Sequence, residues 1–249
     1  MSDAPVRCTV RDRVAHIELC RPQVLNAIDA ATCTALTAAI DTLEASSEVA
    51  AMIVSGAGPR AFSSGADLTL MRALEGAPLR AYIEQTWRTF DRIAASPIPS
   101  IAALHGHVLG AGCELALACD LRIADAGVRI ALPEMGLGSV PGSGAVQRLP
   151  ALVGRSKAME LILFSGTIDA AEALRIGLVN RIVAAGEALA SAFEWAQQIA
   201  GLRPAAVRYL KAAMAAGDAR IAAPALHGLV SDLCHRDPVY AGNTATFVK

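Results

Sequence analysis

Near the N-terminus apolar and polar residues alternate. Ala15, Ile17 and Leu19 share one face of "RVAHIEL", and the preceding "VRCTV" is joined to it through Arg11-Asp12. Period-two alternation on both sides of a short polar turn predicts a β-hairpin. The period then lengthens: Leu36, Ile40 and Leu43 repeat at helical spacing behind Asp29, a residue suited to accept from the first free amides of a helix. "VAAMIVSG" follows as an apolar run of the kind that a strand buried on both faces requires. Strand, helix and strand in that order predict an α/β fold.

The glycine- and serine-rich "GAGPRAFSSGADL" is longer than a simple turn, and long loops in compact domains are often functional. Over 78–96, Ile83, Trp87, Phe90 and Ala94 fall on one helical face, which places Trp87 in the core, and "PSIAALHGHV" follows as a strand. "LRIADAGVRIALPEMGLGSVPGSG" then alternates short apolar runs with a glycine-proline loop, and helices dominate from Gln147 onward. Asp169 and Glu172 form a capping-box pattern with Gly177 at the helix end, and 187–232 reads as two or three more helices. The sequence shows no internal repeat, so the one boundary expected is a soft one near residue 185, dividing 1–185 from a helical 186–249.

Composition narrows the partners. Among 249 residues, 22 basic and 23 acidic side chains give a net charge of -1, which offers no broad field for nucleic acid or an anionic membrane. Apolar residues reach 54% against 18% charged, a lean surface that predicts a homo-oligomer. The opening "MSDAPVRCTV" resembles neither a secretory signal nor an anchor, and the apolar stretch 98–119 is interrupted by His105, His107 and Glu114; a cytoplasmic location without a membrane span is expected. Cys8, Cys20, Cys33, Cys113, Cys119 and Cys234 form no CxxC pair and have no histidines at zinc spacing, so buried reduced thiols and no metal are expected.

The chemistry concentrates in "HVLGAGCELALACD". A glycine-flanked turn entering a helix leaves the first backbone N–H groups unpaired, a site for a phosphate or an oxyanion. The third glycine of the dinucleotide fingerprint is missing and no GxxxxGK[ST] occurs, which disfavours a nucleotide. Glu114 sits there among apolar neighbours, where a carboxylate without a purpose is costly. A second carboxylate, Glu134, follows Pro133 in "ALPEMGLGSVPGSG" at the start of a short helix. Two carboxylates brought to one pocket beside unpaired amides make a general acid/base pair facing an oxyanion hole. His105 and His107 read as structural, Asp67 as a helix cap, and Ser63, Ser64, Ser139 and Ser143 lack the GxSxG elbow of a serine nucleophile.

Taken together, "RPQVLNAID", "AFSSGADL", "HGHVLGAGCELALACD" and "LPEMGLGSVPGSGAVQRL", in that order, resemble the coenzyme A segment, the two oxyanion-hole loops and the second glutamate loop of the enoyl-CoA hydratase/isomerase family, the crotonase superfamily. The resemblance implies a spiral of ββα repeats with a helical C-terminal oligomerisation region, assembled as a homotrimer or as a hexamer of paired trimers. It implies an acyl-CoA thioester as substrate, with coenzyme A part of that substrate and no separate cofactor. Carried over, the oxyanion amides are those of Ala66 and Ala111, with Glu114 activating water for attack at C3 and Glu134 giving a proton to C2. The substrate-binding positions are Arg21, Leu25, Ala27, Ser64, Ala66, Asp67, Leu68, Gly110 and Gly142. Ala111 stands where many relatives carry glycine, and the chain ends at "ATFVK", where many continue with an arginine and an aromatic that help to cover coenzyme A. Having both carboxylates favours a hydratase. The alternatives are a Δ3-Δ2 enoyl-CoA isomerase or other crotonase-type lyase, and, outside enzymes, a non-catalytic binding protein on the same scaffold.

Overall fold

The computed structural model describes residues 4–215. The hairpin is formed by β1 (Val6–Arg11) and β2 (Val14–Leu19). Its turn residues are Asp12 and Arg13, both at positive φ, rather than Arg11-Asp12: a two-residue turn needs left-handed geometry to match strand twist, and Arg11 is still paired with Val14. Helix α1 (Ala30–Ala45) starts where Asp29 accepts from the Thr32 amide and buries Leu36, Ile40 and Leu43. It leads into β3 (Ala51–Gly56), buried at every position.

Two-layered units follow. β3 is followed by β4 (Ala61–Ser63) and the helices α2 (Leu68–Arg72) and α3 (Gly76–Ala95). β5 (Ser100–Leu104) is followed by β6 (His107–Leu109) and α4 (Ala111–Ala118). β7 (Leu121–Asp125) is followed by β8 (Arg129–Ala131), a 3-10 turn over Glu134–Leu137, and α5 (Ala145–Val153). The first strand of each pair joins one sheet and the second joins another. Thus the fold repeats where the sequence shows no repeat. The repeat is one of backbone path, and the unit helices run from 5 residues in α2 to 20 in α3, so no common side-chain pattern survives.

Beyond them lie α6 (Arg155–Phe164), β9 (Ile168–Asp169), α7 (Ala170–Arg175), β10 (Arg181–Val183) and α8 (Ala188–Ala200). The described residues form a six-stranded sheet ordered β1-β2-β3-β5-β7-β10, parallel apart from the hairpin, and a four-stranded sheet ordered β4-β6-β8-β9. One face of the larger sheet carries Ile17, Val54 and Ala102 into the main core. The other carries Ile53, Ile101 and Ile123 against α8, whose Ala188, Ala192, Ala196 and Ala200 form a flat stripe at four-residue spacing. The first compact unit runs to Ala200, and α9 (Pro204–Ala215) belongs to the unit that follows.

Several local expectations change. The buried face of α3 is Tyr82, Thr86, Thr89, Phe90 and Ile93, and Trp87 is only half-buried. That face is turned by threonines hydrogen-bonding towards α1, through Thr37 and Cys33. Asp169 caps the Glu172 amide, but the Glu172 side chain leaves the capping box for Arg175 and Lys157. Cys33, Cys113 and Cys119 are buried thiols, whereas Cys8 lies exposed on the edge hairpin; Cys234, the "ATFVK" end and the helices expected past 215 lie outside the described residues. His105 holds the Gly58 carbonyl at 2.8 Å, a structural contact, and His107 is exposed. Among the described residues no helix is long and apolar enough to cross a membrane, and no cluster could hold a metal.

Candidate active site

The ends of β4, β6 and β8 deliver three loops to one cavity of about 320 Å³. Its first wall is the segment after β4. Leu25 and Asn26 both take left-handed conformations, and the buried Asn26 side chain ties the loop together, accepting from the Arg21 amide at 3.0 Å and donating to the Ala57 and Ala61 carbonyls at 2.9 Å. The Leu25 carbonyl then accepts from Ser64, Ile28 donates to Gly65, and Asp67 donates back to Ile28. Neighbouring amides of an extended strand point to opposite sides. With Asp67 turned to Ile28, the Ala66 N–H faces the other way and has no hydrogen-bond partner among the described residues.

The second wall is the start of α4. Gly110 at φ +50 turns the chain into the helix, and the Ala111 amide, in its first turn, likewise has no partner among the described residues. A Cβ at Gly110 would come within 2.9 Å of the Glu134 Oε1, and one at Gly112 within 2.6 Å of the Ser63 carbonyl. Gly110 is therefore set by its positive φ, and Gly112 by the close approach of the neighbouring strand's backbone.

Glu114, in the first turn of α4, is buried, and its Oε1 accepts from the amides of Ser143 at 2.7 Å and Ala145 at 3.0 Å. Burial pushes its carboxyl above the ordinary range, while those amides and the charge of Arg148 pull the other way. Glu134 opens the 3-10 turn after Pro133, which precedes the helix rather than occupying its first position. Burial, reinforced by the Glu114 charge, pushes Glu134 up to about 7, and its buried Oε2 has no hydrogen-bond partner among the described residues. The two carboxyls thus differ: one is cradled by amides that favour the anion, the other is held near neutrality.

Both glutamates line the cavity together with Ser64, Ala66, Leu68, Gly110, Ala111 and Gly142. Four sequence candidates do not line it. Arg21 is engaged with the Ala27 carbonyl and with Asp29 and Asp67 at 3.0 and 3.2 Å, Asp67 caps α2, and Leu25 and Ala27 frame the loop through their carbonyls. Sequence reasoning passed over Asn26, the Ser143 and Ala145 amides, and Tyr82, whose hydroxyl donates to the Ile28 carbonyl at 2.6 Å. The signals were an asparagine in a turn, where that residue tolerates left-handed geometry, and "PGSGAV", a glycine-serine loop feeding a helix N-terminus. Ser143 had been weighed as a nucleophile, but its backbone amide is what reaches Glu114.

A paired-sheet ββα spiral whose loops bring two unlike carboxyls and two unpaired amides into one cavity is a crotonase-type fold. The chain belongs to the enoyl-CoA hydratase/isomerase family, whose model matches residues 9–230. It is 40% identical over 205 residues to the short-chain-enoyl-CoA hydratase of Clostridium acetobutylicum, covering 82% of this chain and 78% of that one. With the crotonyl-CoA hydratase of Syntrophomonas wolfei it shares 38% identity over 202 residues, 81% of this chain and 78% of the other. A crystal structure of enoyl-CoA hydratase from Bacillus anthracis superposes with a TM-score of 0.92 at 30% identity, over 97% of this chain and 96% of that one.

Proposed function

We propose that this chain adds water to 2-enoyl-CoA thioesters to give 3-hydroxyacyl-CoA, with coenzyme A carried by the substrate and no separate cofactor. The observation that carries the reading is the convergence of Glu114 and Glu134, from different units of the spiral, on a cavity that also holds the Ala66 and Ala111 amides. In this reading the thioester oxygen sits on those two N–H groups, which stabilise the enolate that forms when C3 is attacked because they are fixed before the reaction. Glu114, favoured as the anion by its two amide donors, takes a proton from water as the oxygen bonds to C3. Glu134, held near neutrality, delivers a proton to C2, so that the elements of one water add across the double bond. The unpartnered Glu134 Oε2 supports this, since a water shared by the two carboxyls would supply its missing hydrogen bond.

The relatives named as hydratases at about 40% identity support hydration over double-bond isomerisation. A cytoplasmic location and a homotrimer or paired trimers accompany the reading. The test is loss of enoyl-thioester absorbance with crotonyl-CoA. Wild-type protein is expected to turn over, and Glu114→Gln and Glu134→Gln each to slow hydration by at least about 10²-fold. Wild-type turnover in either variant would remove that residue from the mechanism, and an inert wild type across enoyl chain lengths would refute the reading.

A further inference from the structure

The Glu114 cradle is a turn, and a turn supplies two aimed amides only if something fixes it. Arg148, in α5, does so from behind. Its Nη1 donates to the Ser143 carbonyl at 3.1 Å, while its Nη2 donates to the Asp91 carboxylate of α3 at 3.0 Å, and the guanidinium lies 5.5 Å from the centre of the Trp87 ring. Its side chain is 16% exposed. A guanidinium held by a carboxylate, a carbonyl and an aromatic face has little freedom to move. Ser143 is therefore held at both of its peptide groups, by Arg148 at its carbonyl and by Glu114 at its amide.

We propose that Arg148 is a positioning residue of the site, fixing the Ser143–Ala145 turn as the amide cradle in which the Glu114 carboxylate sits. The proposal deepens the hydratase reading and rests on it for its catalytic consequence. Electrostatics agree with the geometry. Glu134 from the 3-10 turn, Tyr82 from α3 and Arg72 from α2 line the same cavity as Glu114, and the charge of Arg148, behind the turn, draws the Glu114 carboxyl down together with the two amides, against the upward push of burial. The link also explains why Trp87 is half-buried: its ring serves the arginine and not the core.

The test compares Arg148→Gln, Arg148→Lys and Asp91→Asn with wild type by isotope-edited infrared titration of the Glu114 carboxyl, assigned by its disappearance in Glu114→Gln. In Arg148→Gln the Glu114 titration should move to higher pH, and kcat for crotonyl-CoA should fall about 10- to 100-fold with KM little changed. Arg148→Lys should restore part of both, and Asp91→Asn, which frees the guanidinium, should lower kcat by less than Arg148→Gln does. A merely structural arginine would lower stability and leave the Glu114 titration where it is in wild type, and that result overturns the proposal. If Arg148→Gln does not fold, a wild-type kcat together with an unmoved Glu114 titration in both Arg148→Lys and Asp91→Asn does the same. Should wild type hydrate no enoyl-CoA, the hydratase reading fails while the infrared titration still decides the role of Arg148.

Discussion

Glu134 carries one buried oxygen without a partner and a carboxyl pushed up to about 7 from an ordinary 4.5. The sign of its effect on stability follows. Burial favours the neutral acid in the folded state, so the unfolded chain gives up its proton first as pH rises. The contribution of Glu134 is fully present below about pH 4.5 and is lost as pH rises through about 7. Glu134→Gln removes that dependence. Its melting temperature relative to wild type is expected to be higher at about pH 8 than at about pH 5, measured by calorimetry. A difference that stays constant across that range would mean that Glu134 is solvated and is not held as a neutral donor. Glu114 was legible in the sequence as a carboxylate out of place among apolar neighbours. Its environment was not, because the amides that hold it lie 29 and 31 residues away.

At the scale of elements, periodicity carried far. The hairpin, α1 with its Asp29 cap and the wholly buried β3 each follow from a pattern held within a dozen residues. Failures came where the deciding contact was remote. The period of α3 located a helix but not its buried face, because two threonines pairing with α1 and a tryptophan serving Arg148 rotate the apparent stripe. The repeat of strand, strand and helix left no mark, since each copy meets different neighbours. The loop motifs stand out in the sequence for a physical reason: a glycine at positive φ or a buried acid next to an apolar helix is a local oddity that few other structures require. Arg21 is held by two aspartates distant in the sequence, a pairing that an arginine after a strand does not announce.

At the scale of the molecule, the apolar composition has a visible counterpart. Met159, Leu163 and Phe164 on α6 are 45%, 48% and 78% exposed, and Leu152 on α5 adds to them. Apolar side chains gathered on neighbouring helices mark a surface suited to another subunit. Sedimentation is expected to give an assembly larger than a dimer; a clean monomer would contradict that. In the proposed reaction two main-chain N–H groups stabilise the enolate, and one substitution reaches them with little else disturbed. Ala111 is the first residue of α4, where proline is tolerated and its missing N–H takes no hydrogen bond from the helix. In Ala111→Pro, shown to be folded by circular dichroism, kcat for crotonyl-CoA hydration should fall by about 10²–10³-fold. A folded Ala111→Pro protein that hydrates crotonyl-CoA at the wild-type rate would mean that the Ala111 N–H does not hold the enolate oxygen.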